Sequence, residues 1–118
     1  MTTLTLEVVK SPFNQPVTVW KLQPEKGEYI IGRSPTNDIV IVDPYVSRRH
    51  ARIFYRDGKW YIEDLGSTNG TVVDGEPLED KPVELKDGSE IVVGLTVLRV
   101  KYEEEGEEEE EEGEEEGG

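Results

Sequence analysis

Three short segments of the chain combine polar side chains with glycine or a strand end, and they have the residue types that chemistry requires. They are residues 32–34 (Gly-Arg-Ser), 46–50 (Val-Ser-Arg-Arg-His) and 66–71 (Gly-Ser-Thr-Asn-Gly-Thr). Each lies where a predicted strand begins or ends, and loops at one end of a β-scaffold can converge on one site. We therefore expect a single binding site built from all three segments.

The side chains of these segments suit a tetrahedral dianion. Arg33 and Arg48 carry guanidinium groups, which form paired, charge-assisted hydrogen bonds with phosphate oxygens. Ser47 and Thr68 add hydroxyl groups, Asn69 adds an amide, and the neighbouring glycines let backbone N–H groups approach closely. A phosphate monoester is an example of such a dianion.

A hydrolytic site is the alternative use of the same residues. Ser47 and His50, together with Asp43 or Asp64, form the one conceivable nucleophilic triad. Positions 47 and 50 are an odd number of residues apart, so an extended backbone directs their side chains to opposite faces. We predict that His50 is a structural hydrogen-bonding residue and that the protein is not an enzyme.

The elements that must position these residues have an all-β pattern. Short apolar runs alternate with turn residues, and the i, i+3, i+4 spacing of an amphipathic helix is missing. The pattern predicts strands at residues 4–10, 16–22, 28–32, 38–41, 50–56, 59–64, 71–73, 83–85, 90–93 and 96–102. About ten or eleven strands in a domain of this size favour a two-sheet β-sandwich over one open sheet.

The pair Asp57-Gly58 predicts a tight type I′ hairpin, because both residues tolerate positive φ. In the resulting register Tyr55 lies opposite Trp60 on a largely apolar face, which we expect to point into the core. Phe54 and Tyr61 then fall on the other face, which we expect to be solvated.

The formal charge of −14 is concentrated at the C-terminus. Residues 103–118 hold 12 glutamates, four glycines and nothing else, so residues 1–102 carry a net charge of only −2. Such a tail has no apolar area to bury and repels itself. We expect one domain at residues 1–102, followed by a disordered, low-complexity acidic tail at residues 103–118. Neither part has the excess of lysine and arginine that nucleic-acid binding requires, so no nucleic-acid partner is expected.

The remaining composition bears on cofactors and location. The chain has no cysteine and one histidine, which excludes disulfides and thiol catalysis and argues against a metal site, so no metal and no cofactor are expected. The N-terminus lacks a basic region followed by an apolar stretch, and no apolar run approaches the ~18 residues of a membrane span. We expect a cytoplasmic, intracellular monomer without a membrane partner.

In their order and spacing, the sequence blocks of this chain resemble the forkhead-associated (FHA) domain family, a β-sandwich module that recognises phosphothreonine peptides. The resemblance covers nearly all of residues 1–102 and rests on residues 29–34, 46–51, 64–71, 73–75, 85–88 and 91–94. One block by itself is weak, whereas all of them in this order are hard to produce by chance.

The resemblance implies a role for each matching residue. Arg33 would hold the phosphate, and Ser47 would donate its hydroxyl to it. Arg48 would contact the phosphate or the peptide backbone, Thr68 would lie beside the bound phosphothreonine, and Asn69 would hydrogen-bond the peptide main chain. Three further matches, which would keep the binding loops in shape, are Gly32, His50 and Gly70.

Two hypotheses about function follow. The first is a phosphothreonine-dependent interaction module that docks a threonine-phosphorylated protein or peptide in Ser/Thr kinase signalling. The second is a phosphate-independent scaffold of the same fold, which binds partners through a sheet face or the Phe54/Tyr61 pair.

The Asn69-Gly70 pair is also compatible with a type I′ hairpin turn, and a turn can present the amide of the asparagine.

Overall fold

The structure, a computed structural model, describes residues 2–104, which form eleven β-strands and no helix. The strands are β1 Thr2–Lys10, β2 Val19–Leu22, β3 Glu28–Gly32, β4 Ile39–Val40, β5 Ala51–Arg56, β6 Lys59–Asp64, β7 Thr71–Val73, β8 Glu76–Pro77, β9 Val83–Glu84, β10 Glu90–Val93 and β11 Thr96–Glu104. Residues 2–104 thus contain no helical segment with the length and apolar character needed to cross a bilayer. The all-β fold predicted from the sequence is confirmed.

The strands form two sheets. One has six strands in the order β2-β1-β11-β10-β7-β8, and the other has five in the order β4-β3-β5-β6-β9. Strands β3 and β4 pair in parallel, whereas β1 and β11 form a long antiparallel pair that joins the two ends of the domain. Because strands distant in sequence are neighbours in space, loops from different parts of the chain meet at one end of the sandwich.

The apolar faces of both sheets bury a common core around Trp60, which is 1% exposed. The Trp60 ring packs against Tyr55 and Tyr29, with centroid distances of 5.0 and 6.4 Å. Its indole N–H donates to the carbonyl oxygen of Thr2 at 3.1 Å, so the polar group of this buried residue has a partner. The alternation of apolar and polar residues in the sequence therefore corresponds to the inner and outer sheet faces.

The β5–β6 hairpin has the predicted register, since Tyr55 pairs with Trp60, and Asp57 and Gly58 have φ values of 52° and 80°. The expectation that Phe54 is solvated is wrong, because this residue is only 5% exposed. The guanidinium carbon of Arg52 lies 4.1 Å from the centre of the Phe54 ring, and Tyr61 stacks on the ring at 5.5 Å. The guanidinium group itself covers the ring face in a cation–π contact, and it is held there by ion pairs with Glu28 and Glu63. An exposed Phe54/Tyr61 pair is therefore not available to a partner.

Several strands differ from the prediction. Strand β1 begins at Thr2 instead of residue 4, and β4, β5 and β9 are one or two residues shorter than predicted. Strand β2 begins at Val19 instead of residue 16, and Pro16 has no N–H to donate to a neighbouring strand. Strand β8 was not predicted; it forms because the tight Asp74-Gly75 turn, with φ values of 50° and 83°, folds the chain back on β7. Strand β11 continues to Glu104, two residues past the predicted domain end, and the rest of the predicted tail, residues 105–118, lies outside the described residues.

Candidate functional site

Three loops meet at one end of the sandwich and enclose a shallow depression. They are the β3–β4 loop (residues 33–38), the β4–β5 loop (residues 41–50) and the β6–β7 loop (residues 65–70). The depression has a volume of about 140 Å³ and is lined by Arg33, Pro44, Tyr45, Val46, Ser47, Thr68 and Asn69. None of these lining residues is acidic, so a small anionic group fits the depression by charge.

Arg33 is held in place by the β4–β5 loop. Its side-chain Nε–H donates to the carbonyl oxygen of Val46 at 2.9 Å, and its backbone N–H donates to the carbonyl oxygen of Ser47 at 2.9 Å. The two terminal amino groups of the guanidinium have no hydrogen-bond partner among residues 2–104. The geometry thus orients the charged fork and keeps its outer donors free for a ligand.

The Ser47 hydroxyl is also positioned for donation. Its oxygen accepts the backbone N–H of Thr68 at 3.0 Å, a bond that joins the β4–β5 loop to the β6–β7 loop. A serine hydroxyl has one proton, and this contact uses only a lone pair of the oxygen. The hydroxyl proton therefore remains available to an anion in the depression.

Asn69 closes the depression from the side of the β6–β7 loop. Its side-chain Nδ2 donates to the carbonyl oxygen of Tyr45 at 2.9 Å, which leaves the amide oxygen Oδ1 for a ligand. Gly70 has a φ of 84°, whereas Asn69 is not among the residues of positive φ. The Asn69-Gly70 pair is therefore not a type I′ turn, which needs positive φ at both positions.

His50 is fully buried and holds two of the loops together. Its Nδ1 accepts the backbone N–H of Ser47 at 3.0 Å, so its Nε2 carries the proton and donates to the carbonyl oxygen of Gly70 at 2.8 Å. Because both ring nitrogens are bonded to backbone groups, the ring is not placed to take a proton from the Ser47 hydroxyl. The triad considered from the sequence is not assembled.

Gly32 and Arg48 bring the β3–β4 and β4–β5 loops into close contact. A Cβ atom at Gly32 would lie 2.0 Å from the carbonyl oxygen of Arg48, so only glycine fits there. That oxygen also accepts Nδ2 of Asn37 at 2.5 Å. The side chain of Arg48 is exposed and does not line the depression. Of the five ligand-binding residues expected from the sequence, four come together, and Arg48 contributes its backbone to the adjoining loop contact.

Asp64 shapes the β6–β7 loop. Its Oδ2 accepts the backbone N–H groups of Gly66 and Ser67 at 2.9 and 2.8 Å, and its Oδ1 accepts the hydroxyls of Ser67 and Thr71 at 2.6 and 2.7 Å. Partial burial by itself raises the pKa of Asp64, but these hydrogen bonds favour the ionised carboxylate and hold the pKa below its usual value of 3.8.

The lowered pKa of Asp64 predicts a loss of stability in acid. A carboxyl group whose pKa is lower in the folded state than in the unfolded state stabilises the fold above the unfolded pKa, and this contribution is lost as the pH falls through the folded pKa. Asp64→Asn should therefore lower the denaturant midpoint at about pH 7 and show a shallower decline below about pH 4. Chemical denaturation across this range measures both effects. The charge-matched control is Asp57→Asn in the exposed hairpin turn, and parallel profiles of the two variants would contradict the role of Asp64.

The sequence reasoning did not identify three contributors to the site. Tyr45 and Val46 line the depression and supply the carbonyl oxygens that orient Asn69 and Arg33. The sequence analysis gives Asp64 no role in shaping the loop, although its position two residues before Gly66 is typical of an aspartate that accepts local backbone N–H groups. Backbone carbonyls leave no signature in a sequence, so Tyr45 and Val46 could not be identified in the same way.

Comparison with known proteins supports one family. A family model described as the FHA domain matches residues 29–94. The FHA domain-containing protein FhaB of Mycolicibacterium smegmatis is 40% identical over 72 residues, a match that covers 61% of this chain and 46% of that protein. The chain thus spans less than half the length of this relative.

Solved structures agree in fold. The FHA domain of an Arabidopsis thaliana hypothetical protein is 34% identical, with a TM-score of 0.78 over 86% of each chain. A second structure, from a study of phosphothreonine-dependent FHA domain interactions, is 30% identical, with a TM-score of 0.71 over 84% of this chain and 95% of the other.

Proposed function

The chain belongs to the FHA domain family, whose members are interaction modules, and from this premise we propose that it docks a threonine-phosphorylated protein in Ser/Thr kinase signalling. The phosphate enters the depression between Arg33 and Ser47. Binding is reversible, and phosphorylation of the partner controls it.

One observation carries the proposal: the free amino groups of Arg33 and the free hydroxyl proton of Ser47 belong to the same depression. Both side chains are already held by other hydrogen bonds, so little conformational entropy is lost when a ligand binds. A phosphate monoester carries nearly two negative charges at neutral pH and three acceptor oxygens, which matches a guanidinium fork with a hydroxyl donor beside it.

The other predicted residues receive roles by position. Thr68 lies beside the bound phosphothreonine, and the free Oδ1 of Asn69 accepts a backbone N–H of the peptide, which aligns an extended ligand along the rim. The exposed side chain of Arg48 contacts the peptide backbone or a phosphate oxygen from outside the depression. His50 and Gly70 keep the two loops at the distance that this arrangement needs.

Phosphate dependence is the test of this function. Calorimetric titration of the full chain with a degenerate phosphothreonine peptide library, and with the same library unphosphorylated, should show micromolar binding only in the phosphorylated case. Each charge-assisted hydrogen bond contributes roughly 1.5–3 kcal/mol, so losing two of them weakens binding by at least about 100-fold. Equal binding of both libraries, or none, would contradict the proposal, and equal binding would favour a phosphate-independent scaffold.

A location and an oligomeric state accompany the proposal. The ligand is produced by protein kinases that use ATP, so we place the protein inside the cell, in the cytoplasm. A depression lined by residues of a single chain requires no second copy, and we propose that the module acts as a monomer.

A further inference from the structure

Asp43 is a buried carboxylate that joins two elements next to the candidate site. The residue is only 1% exposed to solvent. Oδ1 accepts the backbone N–H of Tyr45 at 2.8 Å, and Oδ2 accepts the backbone N–H of Leu95 and the hydroxyl of Thr96, each at 2.8 Å. The three donors come from the β4–β5 loop, the β10–β11 turn and the start of β11, so the carboxylate links parts of the chain 52 residues apart.

The contact with the β10–β11 turn is close. A Cβ atom at Gly94 would lie 2.8 Å from all three atoms of the Asp43 carboxylate group. Gly94 also has a φ of 58°, a backbone conformation that residues other than glycine rarely adopt. The carboxylate therefore packs directly on the β10–β11 turn and holds the β4–β5 loop against it.

The same carboxylate shapes the backbone that holds the site. Asp43 begins a turn in which its own carbonyl oxygen accepts the N–H of Val46 at 3.0 Å, with Pro44 at the second position. The carbonyl groups of the last two turn residues, Tyr45 and Val46, then bind side chains that line the depression. The oxygen of Tyr45 accepts Nδ2 of Asn69, and the oxygen of Val46 accepts Nε of Arg33. Two of the proposed ligand-binding side chains are thus oriented by the turn that Asp43 stabilises.

We propose that Asp43 is a positioning residue for phosphopeptide binding, which acts by fixing the carbonyl groups of Tyr45 and Val46 against the β10–β11 turn. This inference rests on the proposed function. Asparagine at position 43 cannot replace the aspartate, because three donors converge on two carboxylate oxygens and an amide offers only one acceptor oxygen. The residue itself does not line the depression, so it acts through Arg33 and Asn69.

Thr96 permits a milder test of the same link. Because Thr96 donates its proton to Asp43, the Ser11 hydroxyl 2.8 Å away donates to Thr96. Thr96→Val keeps the shape of the side chain and removes one of the three donors, while the bonds of Asp43 to Tyr45 and Leu95 remain. It should weaken binding of the phosphothreonine library about threefold, whereas Asp43→Asn should weaken it tenfold or more.

The experiment titrates the full chain and its variants with the phosphothreonine peptide library at a temperature where each is fully folded. Asp74→Asn is the matched control, since the Asp74 carboxylate also joins two strands by accepting the N–H of Glu90 at 2.9 Å, but it lies at the far end of β7. We expect unchanged affinity in the control. We also expect Asn69→Ala to cause a smaller loss in the Asp43→Asn background than in the wild type, because both changes remove the same contact.

Wild-type affinity in both Asp43→Asn and Thr96→Val would overturn the inference, as would strictly additive losses in the Asp43/Asn69 pair. If Asp43→Asn does not fold, the affinity of Thr96→Val decides: weaker binding supports the inference, and wild-type affinity overturns it. A wild-type chain that binds no phosphopeptide contradicts the proposed function instead. In that case the hydrogen-exchange rate of the Arg33 Nε–H, measured by NMR without ligand, still decides. Faster exchange in Thr96→Val than in Asp74→Asn supports the link, and equal exchange overturns it.

Discussion

Arg33→Ala should abolish binding of the phosphothreonine library while the fold stays intact. Among residues 2–104, Arg33 supplies the one guanidinium group that lines the depression, and the change removes it together with the two free amino groups that are proposed to hold the phosphate. Losing two charge-assisted hydrogen bonds at about 1.5–3 kcal/mol each lowers affinity by at least about 100-fold. Arg33 is exposed, so its removal leaves no cavity in the core, and thermal denaturation should show a melting temperature near that of the wild type.

Two variants sharpen this test. Arg33→Lys keeps the positive charge but has neither the Nε–H that bonds to Val46 nor a planar fork, so it should bind at least tenfold more weakly than the wild type. Arg49→Ala removes an exposed arginine of the β4–β5 loop that does not line the depression, and it should change affinity less than about threefold. Arg33→Ala with the affinity of Arg49→Ala would show that Arg33 does not hold the phosphate.

Gly32→Ala should be the most destabilising single change near the site. The added Cβ would lie 2.0 Å from the carbonyl oxygen of Arg48, 2.7 Å from its carbonyl carbon and 2.5 Å from Nδ2 of Asn37. Two of these atoms belong to the backbone, so the β3 end and the β4–β5 loop must move apart. We expect a loss of about 3 kcal/mol or more in the free energy of unfolding, measured by denaturant titration, which lowers the melting temperature by more than about 10 °C.

The displacement in Gly32→Ala should also weaken peptide binding, because Arg33 follows directly and its backbone N–H bonds to Ser47. Gly58→Ala is the control: its Cβ would meet nothing within 4 Å, although its φ of 80° also disfavours a side chain. That variant should lose only about 1 kcal/mol and bind peptide normally. A loss in Gly32→Ala no larger than in Gly58→Ala would mean that the two loops separate easily and that the close approach is not a constraint.

Much of the fold follows from neighbouring residues in the sequence. The Asp57-Gly58 pair determined the hairpin and its register, since a two-residue turn with positive φ at both positions leaves one pairing. Short apolar runs separated by turn residues predicted ten of the eleven strands, and alternation across the β5–β6 hairpin predicted the buried face around Trp60. Strand β8 was missed because its two residues carry no alternation, and only the turn before it places them beside β7.

The residue types of the site were also evident from the sequence, but their arrangement was not. Arginine, serine and asparagine at loop positions indicate an anion site because of their charge and donors. That Ser47 accepts the N–H of Thr68, 21 residues away, depends on the path of the chain through both sheets. The exposed position of the Arg48 side chain depends on the same path, as does the coverage of Phe54 by Arg52.

The sequence alone therefore determined most of the strands, the tight Asp57-Gly58 turn and the chemistry available in the loops, since these depend on preferences of residues within a few positions of each other. The tertiary structure decided which loops meet, which donors are already used and which carbonyl groups hold Arg33 and Asn69. The link from Asp43 to Leu95, across 52 residues, exists only because two sheets close on one core. Long-range contacts of this kind arise from packing, and no local pattern encodes them.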